Sequence, residues 1–141
     1  MIAFRLTLQP GAPVYQQVVY AAKKAIIAGQ MRPGDRFPSV RTLSQELKIN
    51  PNTAHKVVTQ LISDGLLEVH PGRGTLVVEL PASTARERAQ LLKGQLEALV
   101  VEAMRLQMDL GDVQVALADH WERLGSDARS SGHSERKGEK S

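Results

Sequence analysis

The 141-residue sequence predicts a mostly α-helical protein with one small β-hairpin. Three observations carry that reading. Two helical patterns meet with only Lys48, Ile49 and Asn50 between them. Two short β-prone runs, Leu66-Leu67-Glu68-Val69 and Thr75-Leu76-Val77-Val78-Glu79, flank the turn-forming His70-Pro71-Gly72-Arg73-Gly74. Beyond them, Leu92, Leu96, Leu99, Ala103, Leu106 and Leu110 recur at alternating intervals of four and three.

The first helix reads from about Pro13 to Ala28. Pro13 suits a first helical turn, where its missing N–H needs no partner. Val14, Val18, Ala22, Ala25 and Ile26 share one face, and Gly29 stops the helix. Met31 to Asp35 holds a Pro-Gly turn signal. A second helix follows Pro38, with Ser39 as its cap and Val40, Leu43 and Leu47 on its buried face. It stops near Lys48, because Asn50 caps a third helix at once and Pro51 occupies its first turn. So short a connection forces the two helices to cross steeply, as in a helix-turn-helix.

The third helix, from about Pro51 to Asp64, is two-sided. Ala54, Val57, Val58, Leu61 and Ile62 form an inner face; Asn52, Thr53, Lys56, Thr59, Gln60 and Ser63 point outward. Gly65 ends it. A hairpin placed directly after such a helix is a wing. Residues 13–80 therefore read as a winged helix-turn-helix domain, preceded by an N-terminal segment over 1–12.

Pro81-Ala82-Ser83 is a break, and Ser83 can cap a fourth helix. The leucine seam lies on that helix, widened by Val100, Met104 and Met108. It spans less than three heptads, so it needs other surfaces to be stable. Gly111 reads as its end and Asp112 as the cap of a fifth helix, where Val113, Leu117, His120, Trp121 and Leu124 share a face. Residues 83–125 read as a two-helix dimerisation region. Leu92, Leu96, Leu99, Ala103, Leu106 and Leu110 are the candidate interface, with the fifth helix folded against them. Residues 126–141 lack apolar periodicity and read as a disordered tail.

Composition narrows the function. Hydrophobic residues are 42% and aromatics 4%, so the core must be aliphatic. With no cysteine, disulfides and thiolate metal sites are excluded. No apolar run approaches the ~20 residues of a membrane helix, and residues 1–10 lack a signal-peptide core. The expectation is a cytoplasmic protein with no membrane partner. The four histidines (His55, His70, His120, His133) are scattered, and no nucleophile, metal or phosphate-loop spacing is present. The sequence predicts no enzyme, no cofactor and no metal site. Residues 1–80 carry nine Lys/Arg against five Asp/Glu, whereas residues 81–125 carry five against seven. The basic excess thus lies in the winged region, where a phosphate backbone is the natural partner.

The third helix supplies the chemistry. Asn50, Asn52, Thr53, His55 and Lys56 crowd its N-terminal turns with hydrogen-bonding side chains. The first turns of a recognition helix enter the major groove, where Asn pairs with adenine and Lys reaches guanine or phosphate. Arg41, in the first turn of the second helix, is placed for the DNA backbone. Gly72 and Arg73 form the wing tip, from which an arginine can enter a minor groove. Thr75 and Lys48 are further phosphate candidates. A winged helix docking on protein instead is disfavoured by the polar character of the outward face.

At these residues the sequence resembles a known family. Pro13-Val14-Tyr15-Gln16-Gln17, the run from Ile26 to Ser44, Asp64-Gly65-Leu66-Leu67 and Gly72-Arg73-Gly74-Thr75 are similar to the GntR family of bacterial regulators. Asn50-Pro51-Asn52-Thr53 with a short two-helix C-terminal part resembles its YtrA subfamily. The resemblance implies a homodimeric repressor of a palindromic operator, often of an operon encoding an ABC transporter. It places DNA contacts on Arg41, Asn50, Asn52, Thr53, Gly72 and Arg73. Two departures stand out. Pro51 and His55 replace arginines common in the family's recognition helix, so base preference does not carry over. Lys48 replaces a common turn glycine. A small-molecule effector is left open: about 40 residues in two helices do not enclose a pocket, so any effector would bind at the dimer interface or between domains.

Overall fold

Sequence spacing turns into structure most directly at α1 (Val14–Ile27), which buries Val18, Ala22, Ala25 and Ile26. The computed structural model describes residue 2 and residues 4–139, with the backbone alone over 128–139. After α1 come α2 (Val40–Leu47), α3 (Pro51–Ser63), β1 (Leu67–His70) and β2 (Gly74–Val77). Then follow α4 (Ala85–Ala89), a π-helical segment (Gln90–Gln95), α5 (Leu96–Arg105) and α6 (Leu110–Glu139). The chain divides into two compact units, residues 1–80 with 126–141, and residues 81–125.

In the first unit the expected caps are present. The Ser39 hydroxyl accepts from the Thr42 N–H at 3.1 Å, and Asn50 Oδ1 accepts from the Asn52 N–H at 2.7 Å. Between α2 and α3, Lys48 adopts the left-handed conformation, φ 55° and ψ 48°. Ile49 is buried behind it. The Ser44 carbonyl accepts from the N–H groups of both Lys48 and Ile49, and the Ser44 hydroxyl donates to the Ile49 carbonyl at 2.8 Å. These bonds close the turn and set α2 across α3. Leu43, Ala54, Val57 and Leu61 are fully enclosed in the core that α1, α2 and α3 share. Ile62, expected on the inner face, is instead exposed.

The hairpin is antiparallel, with Leu67 opposite Val77 and His70 opposite Gly74. Residues 34–37 run beside β2, which the sequence did not reveal. The Gly34 N–H donates to the Val77 carbonyl (2.8 Å), the Val77 N–H to Asp35 (2.9 Å) and the Phe37 N–H to Thr75 (2.8 Å). So short a piece has no hydrophobic period to detect. It ties the wing back to the segment leading into α2.

The N-terminal segment is also part of this unit. Phe4 is 3% exposed, and its ring stacks on Phe37 with centroids 6.1 Å apart. Ile2 and Leu6 pack against the same core. The Gln17 side chain bonds the backbone of Gln9 and Ala12, which fixes the entry into α1. Residues 2 to 6 alternate, but over too few positions to signal a strand.

The second unit departs from expectation in four ways. Thr84, not Ser83, caps α4, in a reciprocal capping box with Glu87. A π-helical segment over Gln90–Gln95 then interrupts the regular α-helical repeat between Leu92 and Leu96. Next, α5 ends at Arg105 rather than near Leu110. Gln107 takes φ 59°, and the Met108 N–H returns to the Ala103 carbonyl at 3.0 Å, closing the helix end. Asp109 caps α6 by accepting from the Asp112 N–H (2.9 Å), and Asp112 accepts from the Asp109 N–H (3.2 Å). Leu106 and Leu110 thus lie in a helix end and the next helix start, and the six-residue seam is broken.

The backbone of α6 is helical to Glu139, through most of the segment the sequence reads as a disordered tail. Extending an existing helix avoids a new nucleation step, and Ala, Arg, Glu and Lys are good helix formers. Residues 140 and 141 lie outside the described residues.

The strained turn gives a direct test. Replacing Lys48 by glycine removes a left-handed Cβ penalty of roughly 1 kcal/mol. Lys48→Gly is expected to leave the melting temperature unchanged or raise it; a drop of several degrees would contradict the role assigned to this turn.

Candidate nucleic-acid interface

The N-terminal half of α3 brings five of the sequence-selected residues together. Asn52, His55 and Lys56 are exposed, with Thr59 on the same face a turn further on. Thr53 is half-buried. Asn50 is exposed, but its carbonyl oxygen is committed to capping the helix. Its amide NH₂ remains for a ligand. Asn52, Thr53, His55 and Lys56 have no side-chain hydrogen bond or ion pair within the protein among the described residues. Their donors and acceptors are therefore available to base edges or phosphates.

Arg41 is the second residue of α2 and is exposed. Arg73 is exposed at the wing tip, where its N–H closes the turn on the His70 carbonyl at 2.9 Å. Gly72 and Gly74 on either side have φ of 79° and 93°, and a Cβ at either would meet nothing within 4 Å. These glycines serve the backbone twist, and the open space around them leaves the tip accessible. Thr75 is half-buried on β2, and its carbonyl is engaged by Phe37. The cations of Arg41, Lys48, Lys56 and Arg73 have no acidic partner among the described residues. Unneutralised charge on exposed side chains is what a polyanion binds by releasing its counterions.

One neighbour of this face escaped sequence reading. Tyr15, on the first turn of α1, lines a shallow groove with His55, Lys56, Thr59, Gln60 and Ser63. Its hydroxyl donates to Gln60 Oε1 at 2.8 Å, across 45 residues of sequence. No local pattern could have joined the two.

The candidate dimer residues lie elsewhere. Leu92, Leu96, Leu99, Leu106 and Leu110 are exposed, while Ala103 is buried. Val101, Met104, Val115, Leu117 and Trp121 are exposed as well, Trp121 at 77%. Among the described residues no helix is long and apolar enough to cross a membrane, and no His/Cys/Asp/Glu group could hold a metal.

A helix-turn-helix with a basic wing tip and, among the described residues, an unengaged polar edge on its second helix defines a DNA-binding transcription regulator. Residues 14–77 match the family of bacterial regulatory proteins described as gntR. The HTH-type transcriptional repressor YtrA of Bacillus subtilis (strain 168) is 37% identical over 92 residues, covering 64% of this chain and 71% of YtrA. The uncharacterized HTH-type transcriptional regulator YhcF of the same organism is 28% identical over 98 residues, covering 70% of this chain and 81% of that protein. A transcriptional antiterminator from Listeria monocytogenes EGD-e shares the fold, with a TM-score of 0.74 at 21% identity over 84% of this chain and 90% of that one. The chain belongs to the GntR family.

The two roles of Asn50 can be separated. Asn50→Ala removes the cap and is expected to cost about 1 kcal/mol of stability in thermal unfolding. Asn50→Asp keeps the cap, so stability is retained, but it sets a carboxylate toward phosphates and is expected to weaken DNA binding in a mobility shift. Unchanged binding by Asn50→Asp would place Asn50 away from DNA.

Proposed function

We propose that the protein is a homodimeric repressor that reads a palindromic operator through α3. The polar edge of α3 carries this reading: Asn52, Thr53, His55 and Lys56, with the amide of Asn50, face outward with their hydrogen-bonding groups unengaged. Asn52, in the first turn, is the principal base reader. Lys56, Arg41 and Thr75 hold phosphate, and Arg73 with Gly72 brings the wing to the flanking groove. Repression is supported by the name of the relative YtrA, a transcriptional repressor. The YtrA-type resemblance further supports an operon encoding an ABC transporter as the target. The protein acts in the cytoplasm, where that DNA is.

Dimerisation has its own support. One winged helix reads too few base pairs for useful discrimination, and a two-fold dimer doubles the site. Leu96, Leu99, Val100 and Met104 on α5 leave an apolar surface that water does not favour. Covering it with the same surface of a second copy satisfies both demands. Any effector would bind at that interface.

Two experiments test this function. A duplex selected by the protein from a random pool is compared with a scrambled one. Asn52→Ala is expected to lower affinity for the selected duplex by ~1–3 kcal/mol and to spare the scrambled one, while Arg73→Ala lowers both. Equal losses for Asn52→Ala on both duplexes would remove it as a base reader. Sedimentation is expected to show a dimer at micromolar concentration. Leu99→Glu is expected to give a folded monomer whose operator affinity falls on the order of 100-fold. A wild-type monomer would refute the dimer, and an intact Leu99→Glu dimer would move the interface off α5.

A further inference from the structure

Along the flank of α3, four side chains form a polar loop that the backbone of α1 closes. The Tyr15 hydroxyl of α1 donates to Gln60 Oε1 of α3 at 2.8 Å. The Gln60 amide donates to Asp64 Oδ1 at 2.9 Å. The other Asp64 oxygen lies 3.6 Å from Lys23 Nζ, two turns along α1 from Tyr15. The loop thus returns to the helix on which it began. Gln60 is half-buried and uses both ends of its amide within it. Although outward-facing on α3, it is therefore not a free reader of bases.

From this geometry we infer that Tyr15 and Gln60 are positioning residues that fix the rotational setting of the recognition helix. The inference rests on α3 being the reading element. Physically, the inner face of α3 is held by Ala54, Val57 and Leu61. Apolar contacts of this kind are non-directional. A directional bond at the edge of α3 therefore adds resistance to rotation of α3 about its own axis that burial alone does not supply. Hydrogen bonds are directional, and the Tyr15–Gln60 bond acts at the edge of α3, where it opposes rotation best. The side-chain envelope of a helix has a radius of about 5–6 Å, so a rotation of 20° moves the tips of Asn52 and Lys56 by about 2 Å. That displacement breaks a base contact whose working range spans about half an ångström. Tyr15 and Gln60 also line the groove shared with His55, Lys56 and Thr59, so the bond lies against the reading face.

The test uses the full chain, the selected duplex, the scrambled duplex and a set of selected duplexes carrying single base-pair changes. Tyr15→Phe keeps the ring and removes the hydroxyl. It is expected to keep the melting temperature within about 2 °C. Affinity for the selected duplex is expected to fall about tenfold while that for the scrambled duplex is unchanged. The penalties for single base-pair changes are expected to shrink, because a rotated helix no longer distinguishes them well. Gln60→Met keeps side-chain length and is expected to behave alike, and the double variant is expected to be no worse than either single one. Equal loss on both duplexes would make the Tyr15 hydroxyl a phosphate contact and overturn the inference. So would undiminished discrimination, additive losses, or lowered binding that appears only with a lower melting temperature in both variants. Asn52→Ala on the same duplexes checks the underlying reading separately: if it leaves discrimination intact, α3 is not the reader, whatever Tyr15→Phe does.

Discussion

The three-residue turn between α2 and α3 is the constraint on which the rest of the winged unit depends. Lys48 reverses the chain by entering the left-handed region, Ile49 buries its side chain in the core, and Asn50 starts the next helix by capping it. Ser44 fastens the turn from both sides, through its carbonyl and its hydroxyl. None of these residues has slack. Moving Ile49 outward would expose an apolar side chain and strip a buried carbonyl of its donor, and both changes are costly. The crossing of α2 and α3 is therefore fixed locally. The wing inherits that geometry, because β1 begins just after α3 and β2 is tied to residues 34–37.

The two units treat apolar surface differently. In the first, α1, α2, α3, the hairpin and the N-terminal segment enclose one core, with Phe4 and Phe37 supplying a stacked pair in an otherwise aliphatic interior. In the second, polar caps shape the helices while most large apolar side chains face solvent. Capping boxes decide where a helix starts but bury nothing. A unit with well-defined helices and no enclosed core is built to be completed by another surface, and this is the physical ground for the dimer proposed above.

What the sequence could show follows from the range of each signal. The helices α1 to α3, the caps Ser39 and Asn50 and the hairpin rest on neighbours within a few residues, so spacing and residue type sufficed. The polar edge from Asn50 to Lys56 was legible for the same reason, since two successive helical turns gather it. The Phe4–Phe37 stack and the Tyr15–Gln60 bond join distant residues and left no local trace. The leucine spacing did not reveal the helix breaks, because heptad spacing counts residues without regard to phase. The π-helical turn at Gly94 and the left-handed Gln107 each break that phase, and neither is a proline or a sequence stop. Asp109 and Asp112 could each cap a helix by type; the reciprocal bonds of the backbone chose Asp109.

The central claim is that the Asn50–Lys56 edge of α3 lies in the major groove. Methylation interference on the selected duplex tests it most directly, because methyl groups at guanine N7 stand in the major groove and those at adenine N3 in the minor groove. The expected result is two clusters of interfering guanine N7 methylations, about 10 base pairs apart on one face of the duplex. On duplexes with single 7-deazaadenine replacements, Asn52→Ala should abolish the sensitivity at one adenine in each half-site. Interference confined to adenine N3, or 7-deazaadenine sensitivity indifferent to Asn52→Ala, would contradict the placement of α3 in the major groove.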